Sequence, residues 1–218
     1  HITTGEGGAV LYNDYKMKRI VESFRDWGRD CWCQTGMNNT CGKRYSWKLG
    51  GLPEGYDHKF VYSHVGYNMK ITDIQAALGC SQLDKVDGFI QKRKDNFSYI
   101  MKRFLDEKLN KYFILPEAHP KADPSWYGFL LTIKNNKKIN RNELVSFLNS
   151  KKILTRLLFA GNLTKQPGYM NKKHKIVGNL KNTDKIMSDT FWVGVWPGLD
   201  KNHLDYIVEE IKNYILKI

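Results

Sequence analysis

Cysteine is scarce in this chain: there are 4 in 218 residues, and three of them fall within one short stretch. So few thiols, so unevenly spaced, exclude the dense disulfide framework of a small secreted domain and point to reduced thiols or metal ligands, as in a cytoplasmic setting. Long apolar runs are missing too. The longest, 129–133 and 153–160, are strand-sized and bounded by polar residues, so no stretch can cross a bilayer as a helix. Acidic residues are the minority, 22 Asp and Glu against 35 Lys and Arg, for a net charge of +13. That excess suits a polyanion, whether nucleic acid, an acidic membrane surface or a phosphorylated small molecule. Yet Lys92, Lys94, Lys102, Lys137 and Lys138 are strewn over helices and loops as on an ordinary solvated surface, and no nucleic-acid motif accompanies them. Repeats and low-complexity tracts are also absent.

What is present is enough to build a core: 41% of the residues are hydrophobic and 13% aromatic. Because the chain opens at His1 on a turn-forming stretch, we expect it to be the later part of a longer protein. The glycines of Gly5-Glu6-Gly7-Gly8 mark a turn ahead of a short strand, 9–12, and not a phosphate cradle, since a strand rather than a helix follows. Helical spacing of Tyr15, Ile20, Phe24 and Trp27 predicts a helix over 14–27, stopped by Gly28. Residues 34–66 show neither period and read as a long functional loop. Thr72 and Gln75 fit a capping box, and the apolar positions from Ile74 to Phe104 predict one very long helix, kinked near Gly88. Pro116, Pro120 and Pro124 then lead into an alternating pattern: strand 126–133, helix 141–149, strand 153–159, strand 191–196 and an amphipathic helix 202–216. The fold class is α/β.

The chemistry concentrates in three places. Cys31, Cys33 and Cys41 form a C-x-C-x7-C cluster in a polar loop, which suits a metal centre, since two thiolates one residue apart can face one metal and a third can close from the loop. The competing reading is three unrelated thiols. Three ligands are also one short of the four that zinc or a 2Fe-2S centre takes, and Cys80, expected inside a packed helix, is a poor fourth. Asn68 and Lys70 precede a helix N-terminus, where free N–H groups favour a phosphate. Near them His64 has two open roles, donating to phosphate or moving a proton on the one hand, packing on the other. Arg156, amid Leu154, Leu157, Leu158 and Phe159, faces either a ligand or a buried ionic partner.

With these residues on view, the sequence resembles the DegT/DnrJ/StrS sugar aminotransferase family of pyridoxal-phosphate (PLP) fold type I enzymes, over nearly its whole length. The stretches Thr3-Thr4-Gly5-Glu6-Gly7-Gly8, Arg25-Asp26-Trp27-Gly28-Arg29-Asp30-Cys31 and Thr155-Arg156-Leu157-Leu158-Phe159-Ala160-Gly161-Asn162 are most similar to the branch that removes the 3-hydroxyl of CDP-4-keto-6-deoxyhexoses. The resemblance implies residues 1–110 as the C-terminal part of the large cofactor domain, with cysteine loop and linking helix, and 111–218 as a small α/β domain. It implies pyridoxamine or pyridoxal 5'-phosphate as cofactor, a 2Fe-2S cluster on Cys31, Cys33, Cys41 and an upstream cysteine, and a catalytic histidine just before His1, where aminotransferases keep a lysine. Asn68 and Lys70 would reach the cofactor phosphate of a neighbouring subunit in a homodimer, and His64, Arg156 and Asn162 would meet the nucleotide sugar. An iron-sulfur flavin reductase would supply the electrons. The alternatives are an aminotransferase of the same family and, from another class, a zinc-stabilised nucleic-acid module.

Overall fold

Among the described residues, 1–34, 36–135 and 137–218 of this computed structural model, the chain divides into two units, Ile2–Asp84 and Lys85–Ile218, with His1 in the second. The first unit holds two helices. α1 (Tyr15–Arg25) starts where the Asp14 carboxylate accepts the Lys16 N–H, and α2 (Asp73–Leu83) starts at the expected capping box, in which Thr72 and Gln75 satisfy each other's backbone N–H groups. Between them the chain runs as loop with a single 3-10 turn, His58–Phe60. Neither helix buries a side chain, and Val61 is the buried hydrophobic residue of this unit among those described. Backbone bonding and polar loop contacts, more than apolar burial, give it its shape.

The strand expected over 9–12 does not form. A strand needs a ladder partner, and this segment pairs with none among the described residues, with Val10 and Leu11 66% and 93% exposed. The single long helix is likewise corrected to two: α2 ends at Leu83 and α3 (Val86–Asp106) begins after Lys85, so the interruption is at Asp84-Lys85 and Gly88 lies inside α3.

The second unit is built on a four-stranded antiparallel sheet of order β1-β2-β4-β3: β1 (Phe113–Ile114), β2 (Gly128–Ile133), β3 (Thr155–Leu157) and β4 (Thr190–Gly194). β2 and β4 pair with Phe129 opposite Val193 and Leu131 opposite Phe191. The period of two sends Phe129, Leu131, Ile133, Phe191 and Val193 to one fully buried face. Onto that face pack α3, α4 (Arg141–Ser150) and α7 (Lys201–Ile215) through Ile100, Phe104, Leu144, Leu148, Val208 and Ile211. Thus α3, grouped with residues 1–110 in the sequence reading, packs with the second unit.

Two helices lie between β3 and β4, a single-turn α5 (Pro167–Met170) and α6 (Lys181–Asp189); the periodicity had not marked them because α6 is mostly polar. On the outer side of α3, Arg103 bonds Asp205 and Glu209 of α7, and Lys212 meets Glu107 at 2.8 Å. No described helix is long and apolar enough to cross a membrane.

Candidate cofactor and cysteine site

Two glycines create the site in the first unit. Gly28 follows α1 with φ +83°, and a Cβ there would stand 1.8 Å from the carbonyl oxygen of His64; one on Gly66 would stand 2.2 Å from the Gly28 nitrogen. Only hydrogen fits at either position, so the end of α1 and segment 61–69 lie in direct contact. Backbone bonds stitch them together: Tyr67 N–H to Phe24 O at 2.7 Å, Trp27 N–H to Tyr67 O at 2.8 Å, Ser63 N–H to Gly28 O at 2.9 Å and Met69 N–H to Arg25 O at 2.9 Å.

This seam brings predicted site residues together. His64 Nε2 lies 3.0 Å from the Ser23 hydroxyl, its Nδ1 lies 3.0 Å from Val65 O, and its ring packs on Phe24 at 4.1 Å. Lys70 bonds Asp26 at 2.9 Å and sits over Trp27. Both line a cavity of about 860 Å3, together with Cys31 and Cys33. Lys16, Arg19, Arg25, Arg29, Lys59 and Lys70 outnumber Glu22, Asp26 and Asp30 on its wall, so the cavity favours an anion. Asn68 is exposed next to this wall and is bridged to Asp26 through the backbone. The Thr72 and Gln75 N–H groups, which a phosphate at the start of α2 would use, are taken by the capping box.

The three clustered cysteines meet around a void of about 10 Å3, which His58 and Arg44 also line. The Thr40 N–H donates to Cys33 Sγ and the Lys43 N–H to Cys41 Sγ, both at 3.4 Å. The Thr40 hydroxyl and N–H hold the Cys33 thiol below its ordinary pKa and the Lys43 N–H does so for Cys41, whereas burial beside the other thiols pushes Cys31 up. Among the described residues no group of three or more His, Cys, Asp or Glu side chains is arranged to hold a metal ion. Thiols with N–H···S donors are donor chemistry that an iron-sulfur centre can use, and three such thiols are one fewer than the four ligands it takes. Cys80, expected to be packed, is exposed on α2, which buries none of its residues.

The remaining predicted residues are in the second unit. Arg156 is exposed on β3, a short edge strand on which Leu157 is exposed as well, and among the described residues its guanidinium bonds the Thr155 carbonyl, at 3.0 Å, and meets no acidic side chain. Asn162 is buried, donates to Asp184 at 2.7 Å and accepts from the Thr164 N–H and hydroxyl, so its side chain caps a turn. His58 was not singled out from the sequence. It is 1% exposed, and its Nε2 lies 2.5 Å from Asp30 Oδ2. The signal was only its place in the polar loop that holds Cys41, with no periodicity to flag it.

Residues 1–212 match the DegT/DnrJ/EryC1/StrS aminotransferase family, and the chain belongs to that family. It is 55% identical over 214 residues to the lipopolysaccharide biosynthesis protein RfbH of Salmonella typhimurium, covering 98% of this chain and 48% of that protein. It is 49% identical over 219 residues to the dTDP-4-dehydro-2,6-dideoxy-D-glucose 3-dehydratase of Saccharopolyspora spinosa, covering 100% of this chain and 46% of that protein. The chain therefore spans about half the length of these relatives. In fold it is similar to the Escherichia coli GDP-4-keto-6-deoxy-D-mannose-3-dehydratase with bound hydrated PLP, at a TM-score of 0.72 and 23% identity over 91% of this chain and 48% of that one. The architecture is that of the C-terminal part of PLP fold type I.

Proposed function

We propose that the protein is a pyridoxamine-phosphate-dependent 3-dehydratase of a CDP-4-keto-6-deoxyhexose, carrying a 2Fe-2S cluster and serving the synthesis of 3,6-dideoxyhexoses for lipopolysaccharide. The observation that carries this reading is the gathering of Cys31, Cys33 and Cys41 beside a basic cavity. The 49% identity to a relative named as a sugar 3-dehydratase supports it, as does the name of the Salmonella relative, which speaks of lipopolysaccharide.

In this reading 1–110 is the end of the large cofactor domain and 111–218 the small one. When bound, the cofactor supplies an amine that condenses with the 4-keto group and an electron sink for loss of the 3-hydroxyl. Lys70 and Asn68 bind the cofactor phosphate of a neighbouring subunit, which requires Lys70 to exchange its bond with Asp26 for one with phosphate. His64, fixed by Ser23 and the Val65 carbonyl, presents its ring to the cavity that admits the sugar. Arg156 is free to meet the diphosphate, whereas Asn162 holds the turn behind β3. Cys31, Cys33 and Cys41 hold the cluster, whose fourth ligand lies outside this chain, and a reductase delivers electrons to it singly. We place the enzyme in the cytoplasm, as a homodimer. Family membership favours this enzyme over a zinc-stabilised nucleic-acid module.

The test is anaerobic purification of the full-length protein, with metal analysis, an absorption spectrum and incubation with CDP-, dTDP- and GDP-4-keto-6-deoxyhexoses. Broad bands between roughly 400 and 600 nm, about two irons per subunit and loss of the CDP sugar's 3-hydroxyl are expected. Amino transfer without iron would return the protein to the family's aminotransferases, and turnover of another nucleotide sugar alone would correct the nucleotide.

A further inference from the structure

We propose that Phe159 is the base-stacking residue of a nucleotide subsite, in which its ring takes the flat face of the base while Arg156 takes the phosphates. The inference rests on the nucleotide-sugar reading above and names how that substrate's nucleotide end is held. Phe159 is 81% exposed and has a φ of +47°. A bulky side chain rarely enters this left-handed region, and it stays there only where the surrounding structure forces it. Water disfavours so large an exposed ring as well. Phe159 is therefore both strained and uncovered, and residues held in that way gather where a ligand is met.

What forces the turn lies on both sides of Phe159. Before it, the Phe159 N–H donates to Leu157 O at 2.8 Å, which closes a tight bend at the end of β3. After it, Gly161 has a φ of +61° and lies close against Met187, where a Cβ would stand 2.5 Å from the Met187 Cγ. Asn162, 2% exposed, then ties the chain to Asp184 at 2.7 Å and to the Thr164 hydroxyl, and Gln166 Nε2 donates to the Ala160 carbonyl at 2.9 Å. Charge identifies the other half of the ligand. From Lys151 to Thr183 the sequence has eight Lys and Arg and no Asp or Glu, so this segment attracts an anion. Arg156 meets no acidic side chain among the described residues, which leaves its planar fork for phosphate. Phe159 follows Arg156 by three positions, a span of at most about 11 Å, so one mononucleotide can touch both. An apolar partner would use the ring without the guanidinium and an inorganic anion the guanidinium without the ring, whereas a nucleotide uses both.

The experiment titrates the full-length protein with CDP and, separately, with inorganic pyrophosphate by calorimetry, comparing Phe159→Ala, Phe159→Leu, Phe159→Trp and Arg156→Gln with the wild type and checking each fold by circular dichroism. Phe159→Ala is expected to raise the Kd for CDP roughly tenfold and to leave pyrophosphate binding unchanged, since the ring meets the base alone. Phe159→Leu, apolar but without a stacking face, is expected to lose as much, Phe159→Trp to keep the affinity, and Arg156→Gln to weaken both ligands. Unchanged CDP affinity in Phe159→Ala overturns the inference, as does an equal weakening of CDP and pyrophosphate, which would make Phe159 a prop for the turn. Should Phe159→Ala fail to fold, unchanged CDP affinity in Phe159→Leu overturns it instead. Turnover of the nucleotide sugars by the wild type separates this inference from the reading beneath it. A wild type that turns over the CDP sugar but binds no CDP overturns the inference alone, whereas one that turns over no nucleotide sugar removes both.

Discussion

At the scale of single residues, the site depends on what two glycines lack. Gly28 combines a φ of +83° with a backbone atom where a Cβ would go, so neither a rotamer change nor a side-chain shift can relieve a substitution. Left-handed strain costs about 1–2 kcal/mol and overpacking about 1–3 more, so Gly28→Ala is expected to destabilise the protein by about 2–5 kcal/mol, read as a lower urea midpoint. His64 and Lys70 should be displaced with it, because both are carried by the segment that Gly28 touches. Cysteine makes a chemical prediction where glycine makes a steric one. On the proposed cluster, Cys33→Ser in the full-length protein is expected to lose most of the iron with little change in circular dichroism, since Cys33 is a loop residue whose sulfur bonds within the same loop, to Thr40 and Cys31. Full retention of iron in that variant would strike Cys33 from the ligand set.

Elements show why the cysteine loop can hold a shape with so little apolar burial. Arg44 clasps Asp57 with two bonds, 2.8 and 2.6 Å long, and closes the stretch that carries Cys41 at one end and His58 at the other. The Arg44 guanidinium, aided by the Lys59 N–H, holds Asp57 at a pKa of about 2 against its usual 3.8. A depressed carboxylate pKa means that the folded state prefers the ionised form. The contribution is therefore complete above about pH 4 and is lost as pH falls through about 2. Arg44→Gln should remove it: Asp57 should titrate near its usual value by NMR, and acid unfolding of the loop should begin at higher pH than in the wild type. Coincident acid transitions in the two proteins would deny the pair this role. The expected helices over 14–27, 141–149 and 202–216 correspond to α1, α4 and α7, because caps and period act within a few residues. The strand at 9–12 failed on the same ground, as a strand is completed only by a partner that local sequence does not name.

For the whole molecule, stability and chemistry sit in different units. The sheet unit has a continuous core in which Phe129 is fully buried against Phe97 and Phe104, at ring distances of 5.0 and 5.2 Å. Phe129→Ala is expected to cost about 3–5 kcal/mol, seen as a lower denaturation midpoint. On the proposed cluster, it should leave the iron content of the folded protein unchanged, since no described residue of the cysteine loop belongs to that core. The unit that carries the cysteines buries Val61 alone among its described hydrophobic side chains and leaves Val10, Leu11, Val65 and Ile74 exposed. The sequence by itself determined the α/β class, the capping box at Thr72, the family resemblance and the C-x-C-x7-C cluster, all of which are written in spacing or composition. Only the tertiary structure decided that His58 stands between Asp30 and Cys41, that Gly28 meets Gly66, and that Asn162 bonds Asp184. Those are contacts between residues remote in the chain or between side chains in a turn, and they are chosen by the chain's three-dimensional path, for which no local period or cap carries a signal.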